Sequence, residues 1–271
     1  SSSYRGFALA YPAPSAAEKE ALPVYLDYNA TTPIDPRVAR AMLPYLARHW
    51  GNPSSAHAYG RAAKRGVDAA RQQVARAIGA GDVASQVLFT SGGSESANHA
   101  IRGAVELKRQ ALSSAAAAPQ GAPQGDAKPH VITSCVEHPC VLQVCKHLAE
   151  RERKCDLTVL PVDALGRVSV DDLRSALRPE TAVVTIMHAN NETGTVQPIR
   201  QLVDAVRDAA PRGVDALFHT DASQTLGKID VDVAALGVDL LTLAAHKLYA
   251  PKGVGALFIR DGLVLPKFMH G

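Results

Sequence analysis

The sequence predicts an α/β protein built on a mainly parallel mixed sheet with helices on both faces. Three observations point there. Short β-rich runs alternate with helix-like segments along the chain. Several of those runs are continuously apolar, without two-residue alternation, as expected of strands covered on both faces. Helix start and stop signals fall between the runs, so the helices serve as crossovers between parallel neighbours.

The strand runs are Val24–Asp27, Gln86–Thr90, His130–Ser134, Leu157–Pro161, Ala182–Met187, Ala216–Thr220, Asp239–Ala244 and Val254–Arg260. Asp35-Pro36 pairs an N-cap with a proline suited to the first helical position. An Ala/Arg-rich helix runs from about Ala56 to Ile78 and stops at Gly79. A third begins near Ser94 and continues through Asn98 to Gln110. Pro139 opens another that reaches about Glu150, and Val170–Leu177 and Pro198–Ala209 complete the set. Residues 111–128 are low in complexity, rich in Ala, Pro, Gly, Gln and Ser. They read as a flexible surface insertion, because the alternation resumes unchanged after them.

A chain of 271 residues has room for one large domain or two modest ones. Hydrophobic residues at 46% and charged residues at 20% exclude a disordered or fibrous class. The formal charge of +3 gives no reason to expect nucleic acid or a membrane surface as partner. No apolar run approaches the roughly 20 residues of a bilayer span. Cys135, Cys140, Cys145 and Cys155 sit in one short stretch and suit a reducing compartment better than a disulfide framework. With His138 they match no standard metal spacing, so no metal is expected. Residues 1–17 hold four Ser, one Arg and no acid. They fit the tail of an organellar targeting segment as well as they fit an unstructured start.

Five polar clusters fall at the expected carboxyl ends of strands, where open α/β sheets bind ligands. Ala245-His246-Lys247 follows the apolar run ending at Ala244. A partly desolvated lysine there favours its neutral amine, which can condense with an aldehyde. Alone, Lys247 reads more readily as a loop lysine in solvent, where most lysines lie. Asp221, after Ala216–Thr220, could hold a proton on a heteroaromatic nitrogen or could cap a helix. Thr90-Ser91-Gly92-Gly93-Ser94 is a small-residue turn whose backbone N–H groups can approach a phosphate at a helix start. It lacks the pattern of a Walker or dinucleotide loop. His138 could stack on a ring, relay protons or cap a helix, and Asn190-Asn191 could reach a phenolic oxygen or form a turn. An amine, a carboxylate, an imidazole, an amide and a phosphate cradle together are what pyridoxal 5′-phosphate (PLP) requires.

Seven ordered motifs sharpen this. They are YLDYNATTP (Tyr25–Pro33), GNPSSAH (Gly51–His57), TSGGSES, VEHP, ANNETG, HTDASQTLGK (His219–Lys228) and HKLYAPKGVGALF (His246–Phe258). From about Val24 to Gly271 the chain resembles the cysteine desulfurases of the nitrogen-fixation/iron–sulfur type, in the class V aminotransferase group. Selenocysteine lyase is the close neighbour.

The resemblance implies the large domain of a PLP-dependent transferase of fold type I. Residues 24–260 would form that domain, with 1–23 as an N-terminal extension and 261–271 as the start of a small C-terminal domain. It makes Lys247 the residue joined to the cofactor and the base for the substrate Cα proton. Asp221 becomes the ring-nitrogen partner, Gln224 the residue at the ring oxygen, and His138 the stacking and proton-transfer group. Asn191 stands near the ring oxygen and substrate, Gly93 and Ser94 bind phosphate, and His246 adds a phosphate contact. The implied reaction takes L-cysteine to L-alanine and leaves a persulfide for a sulfur acceptor or scaffold protein. The implied assembly is a homodimer. The implied location is intracellular, cytoplasmic or organellar (mitochondrion or plastid). Two departures are visible. Ala244 and Ala245 stand where the family usually has Ser then Gly, which removes a phosphate-binding hydroxyl. The persulfide cysteine is expected beyond Gly271, and none of the four cysteines occupies its place. Beside the desulfurase reading stand selenocysteine lyase and a non-catalytic interaction subunit that keeps the fold.

Overall fold

A computed structural model describes residues 23–81, 84–116 and 127–270. Most of the N-terminal extension and residues 117–126 of the low-complexity stretch lie outside them. Among the described residues, helix α1 spans Pro36–Ala47 and α2 spans Ala58–Ala77, followed by β1 (Val87–Thr90) and α3 (Gly93–Ala116). Then come β2 (His130–Ser134), α4 (Pro139–Lys146), β3 (Asp156–Leu160), α5 (Val170–Ala176) and β4 (Thr181–Thr185). The order continues with α6 (Ile199–Asp208), β5 (Leu217–Asp221), α7 (Val233–Leu236), β6 (Leu240–Ala244) and β7 (Gly255–Ile259).

These strands form one seven-stranded sheet in the order β1-β7-β6-β5-β4-β2-β3. β3, β2, β4, β5 and β6 run parallel, while β7 lies antiparallel to both β6 and β1. β1 therefore points the same way as β6. The residues after β1, β2, β4, β5 and β6 all emerge on one edge of the sheet, and the site is built on that edge.

Neighbouring strand residues split between two apolar layers. Ile132, Val184, Phe218 and Leu241 face α5, α6 and the end of α2, where they pack with Leu173, Ile199, Leu202 and Val206. Val131 and Val183 face α3 and α4, packing with Ala97, Ile101, Val105, Val141 and Val144. Burying each large aliphatic side chain contributes roughly 1.5–3 kcal/mol. Both stripes repeat at helical spacing, 97/101/104/105 on α3 and 199/202/203/206 on α6.

Two sequence expectations need correction. Val24–Asp27 is not a strand. Val24 is 83% and Leu26 84% exposed, and the polar groups just downstream bind the 246–249 loop instead of a strand edge. Thr32 N–H donates to the His246 carbonyl at 3.0 Å, and Asp35 N–H to that of Tyr249 at 2.9 Å. The third helix does not end at Gln110 but continues to Ala116. Residues 111–116 are mostly Ala and Ser, and the alanines favour continuing a helix already nucleated upstream. The other boundaries shift by a few residues, and α4 closes in a π-type turn over His147–Arg151.

Candidate active site

The loops on that edge surround a cavity of about 230 Å³. Gly93, Ser94, His138, Asn191, Asp221, Gln224, His246 and Lys247 all line it. The structure thus brings all eight sequence-nominated residues together, from five strand ends.

Lys247 stands on a tight turn, Ala245–Lys247, immediately after β6. Its Nζ donates to the carbonyls of Asn29 at 2.5 Å and Ala30 at 2.9 Å. Its pKa is lowered chiefly by burial, with Asp221 pulling the other way. Asp221 ends β5 and is almost fully buried. Its Oδ1 accepts the Ser223 N–H at 2.9 Å. Its Oδ2 stands 4.0 Å from the Cys140 thiol. Burial, with Asp221 next, pushes that thiol up to about 12, so it stays protonated at neutral pH.

His138 caps α4, its Nδ1 accepting the Cys140 N–H at 3.2 Å. That bond assigns the ring proton of the neutral imidazole to Nε2, the nitrogen the cap does not use. The two readings of this residue, cap and cavity wall, are therefore compatible. The asparagine pair divides its work. Asn190 builds the turn, with Oδ1 accepting from Glu192 and Thr193 N–H and Nδ2 donating to the Val136 carbonyl. Asn191 lines the cavity, and its carbonyl accepts from Asn29 Nδ2 at 3.1 Å.

The Gly93–Ser94 turn opens the 24-residue helix α3, so its N–H groups and the positive end of the helix dipole meet in the cavity. Gly92 has φ +154°, a conformation that side-chain-bearing residues rarely adopt. Glu95 Oε2 accepts the Ser91 N–H at 2.7 Å and fixes the turn. His246 Nδ1 bonds the Thr31 hydroxyl at 3.1 Å, and its pKa is lowered by burial and then by Lys247.

Sequence reasoning did not nominate three contributors. Ser223 lines the cavity, with its hydroxyl 3.4 Å from where a Cβ on Gly93 would stand. Ala244 Cβ is equally close to that point, so Ser223 sets a hydroxyl beside the wall that Ala244 leaves apolar. Asn29 ties three elements together, since its carbonyl also accepts from Gln224 Nε2 at 2.9 Å. Gln224 Oε1 in turn accepts from Lys228 Nζ at 2.7 Å. The third is Glu137, buried and next to His138 in the chain. All three lie inside motifs noted above, but a backbone carbonyl carries no residue-type signal.

A cavity with a half-buried lysine facing a buried carboxylate, at the switch edge of such a sheet, is characteristic of enzymes that act through a covalently held aldehyde. The chain belongs to the class-V aminotransferase family, whose model matches residues 24–270. It is 47% identical to the cysteine desulfurase IscS of Dictyoglomus turgidum (strain DSM 6724 / Z-1310) over 248 residues, 92% of this chain and 57% of that protein. It is 43% identical to a mitochondrial cysteine desulfurase of Arthroderma benhamiae, covering 88% of this chain and 43% of the other. Among solved structures it is similar to SspA in complex with cysteine, at TM-score 0.79 and 37% identity over 91% of this chain and 65% of that one. A NifS-like protein superposes at TM-score 0.80 with 34% identity, over 92% of this chain and 62% of the other. The chain spans about half the length of the curated relatives it matches.

Proposed function

We propose that this chain supplies the cofactor-holding part of a PLP-dependent cysteine desulfurase, which takes sulfur from L-cysteine and leaves L-alanine. The observation that carries the reading is the convergence of Lys247, Asp221, His138 and the Gly93–Ser94 turn on one cavity. The names and the cysteine complex of the similar proteins support the choice of substrate.

The donor set fits PLP. When bound, that cofactor supplies an electron sink for the charge left at Cα once the substrate proton has gone. Everything else falls to this chain. Burial favours the neutral Lys247 amine, which is both the nucleophile that takes an aldehyde and the base that removes a Cα proton. Asp221, buried at the end of β5, would hold the proton on the ring nitrogen by a charge-assisted hydrogen bond. Gln224 and Asn191 would face the ring oxygen. The Gly93 and Ser94 N–H groups, the Ser223 hydroxyl and His246 would hold the phosphate. His138 can give or take a proton at Nε2, the nitrogen its cap leaves free.

The sulfur is then passed to an acceptor or scaffold protein, and the working form is a homodimer. A mitochondrial relative at 43% identity supports an intracellular, organellar or cytoplasmic setting. No described helix is long and apolar enough to cross a membrane. Incubating the full-length protein with PLP and L-cysteine, then quantifying alanine, tests the reading. Alanine release lost in Lys247→Ala is the expected result. Release from L-selenocysteine but not L-cysteine would move the assignment to selenocysteine lyase. No cofactor uptake at all would favour a non-catalytic subunit.

A further inference from the structure

Glu137 lies between the last residue of β2 and the cap of α4, with its carboxyl group sealed inside the protein. Oε1 accepts two hydrogen bonds, from the Ser134 hydroxyl at 2.6 Å and from the Met187 N–H at 2.9 Å. Ser134 ends β2, and Met187 follows β4 and lines the cavity. Oε2 is buried with no hydrogen-bond partner among the described residues. The titratable groups that face it are Asp221 from β5 and, on α4, Cys140 and Cys145. Neither thiol is charged at neutral pH, because burial pushes both up. An ionised Glu137 would therefore have a bare, desolvated oxygen and an anion for a neighbour.

We propose that Glu137 is a positioning residue of the cofactor cavity: a carboxylic acid kept protonated, which ties the ends of β2 and β4 together next to the turn that carries His138 and leaves the negative charge of the cavity floor to Asp221. The proposal rests on the reading that this cavity holds PLP. Burial lifts the Glu137 pKa to about 8, against the two hydrogen bonds that lower it. The acid is neutral at pH 7 and ionises as the pH rises through that value. Ionisation leaves Oε2 without a donor, so the turn carrying His138 must open to water, and Asp221 gains a like-charged neighbour.

Two measurements decide it. Infrared titration of the cofactor-free protein should show a protonated-carboxyl band at neutral pH. The band should disappear with a midpoint near 8 and be missing in Glu137→Gln. In Ser134→Ala the midpoint should move upward, because the hydroxyl bond that favours the anion is gone. PLP affinity is then followed from neutral pH into the alkaline range for wild type and Glu137→Gln. The wild type should lose about tenfold relative to the variant, the equivalent of one pKa unit of coupling. Glutamine keeps the Oε1 acceptor and cannot ionise. A neutral-pH spectrum without the band, or parallel affinity profiles in the two proteins, would overturn the proposal. Failure of the wild type to bind PLP at any pH would instead sink the cofactor reading, and the infrared result would still decide the protonation of Glu137.

Discussion

Half-burial strips water from the Lys247 amine, and Asp221 offsets part of that cost by attraction. The same side chain is oriented by two carbonyls, those of Asn29 and Ala30. The sequence made the lysine, the carboxylate, the imidazole and the phosphate turn legible, because each is a residue type with one chemistry at a strand end. It did not reveal Asn29, whose contribution is mainly its carbonyl, nor the burial of Glu137, which depends on how β2 and β4 close over it. Ser223 was legible only as part of a motif, since nothing in its identity says that it stands beside Gly93. Its geometry yields a prediction. Ser223→Ala should weaken PLP binding by roughly tenfold, the loss of one hydrogen bond to a charged group, as measured by fluorescence titration. An affinity equal to wild type would remove Ser223 from the phosphate site.

Strand ends deliver the site, so the elements that fix strand ends matter most. Asp239, fully buried just before β6, accepts the Phe218 N–H at 2.7 Å, Arg207 Nη2 at 2.6 Å and Arg260 Nε at 2.7 Å. It locks β5 to β6, the strands that carry Asp221 and Lys247. Removing the carboxylate orphans the buried Phe218 N–H and takes an ion-pair partner from two half-exposed guanidinium groups, those of Arg207 and Arg260. Asp239→Ala should therefore cost about 3 kcal/mol of unfolding free energy in urea. A change within experimental error would show that this lock contributes nothing. Seven of the eight strand runs were legible because they are short and rich in apolar and β-branched residues, and most are separated by helix signals. Val24–Asp27 is also short and apolar but pairs with no strand of the sheet. Its neighbours Thr32 and Asp35 bind the 246–249 loop. A short apolar run carries no information about whether an edge awaits it.

Across the whole molecule, two buried groups set opposite limits on stability. His219 lies fully buried between the hydroxyls of Thr185 and Thr242, at 2.7 and 2.9 Å from its ring nitrogens. Burial drives its pKa from 6.5 down to about 3. The unfolded chain binds the proton first, so the stability this residue provides is complete above pH 6.5 and is lost as the pH falls toward 3. Glu137 acts in the other direction. Its pKa is raised from 4.5 to about 8, so its share is present below 4.5 and is lost as the pH climbs to 8. Thermal melts across pH should show a maximum between these limbs. Glu137→Gln should flatten the alkaline limb and His219→Gln the acid one. Unchanged limbs in both variants would mean that other groups govern the pH dependence.

In the proposed function the Lys247 amine takes up the PLP aldehyde in a cavity that Asp221 also lines. Visible absorbance after PLP is added to the purified protein reads this most directly. A covalent link through Lys247 gives a band beyond the absorbance of free PLP that survives desalting and is missing in Lys247→Ala. A band that persists in the Lys247→Ala protein after desalting, or one that never forms in the wild type, would contradict it.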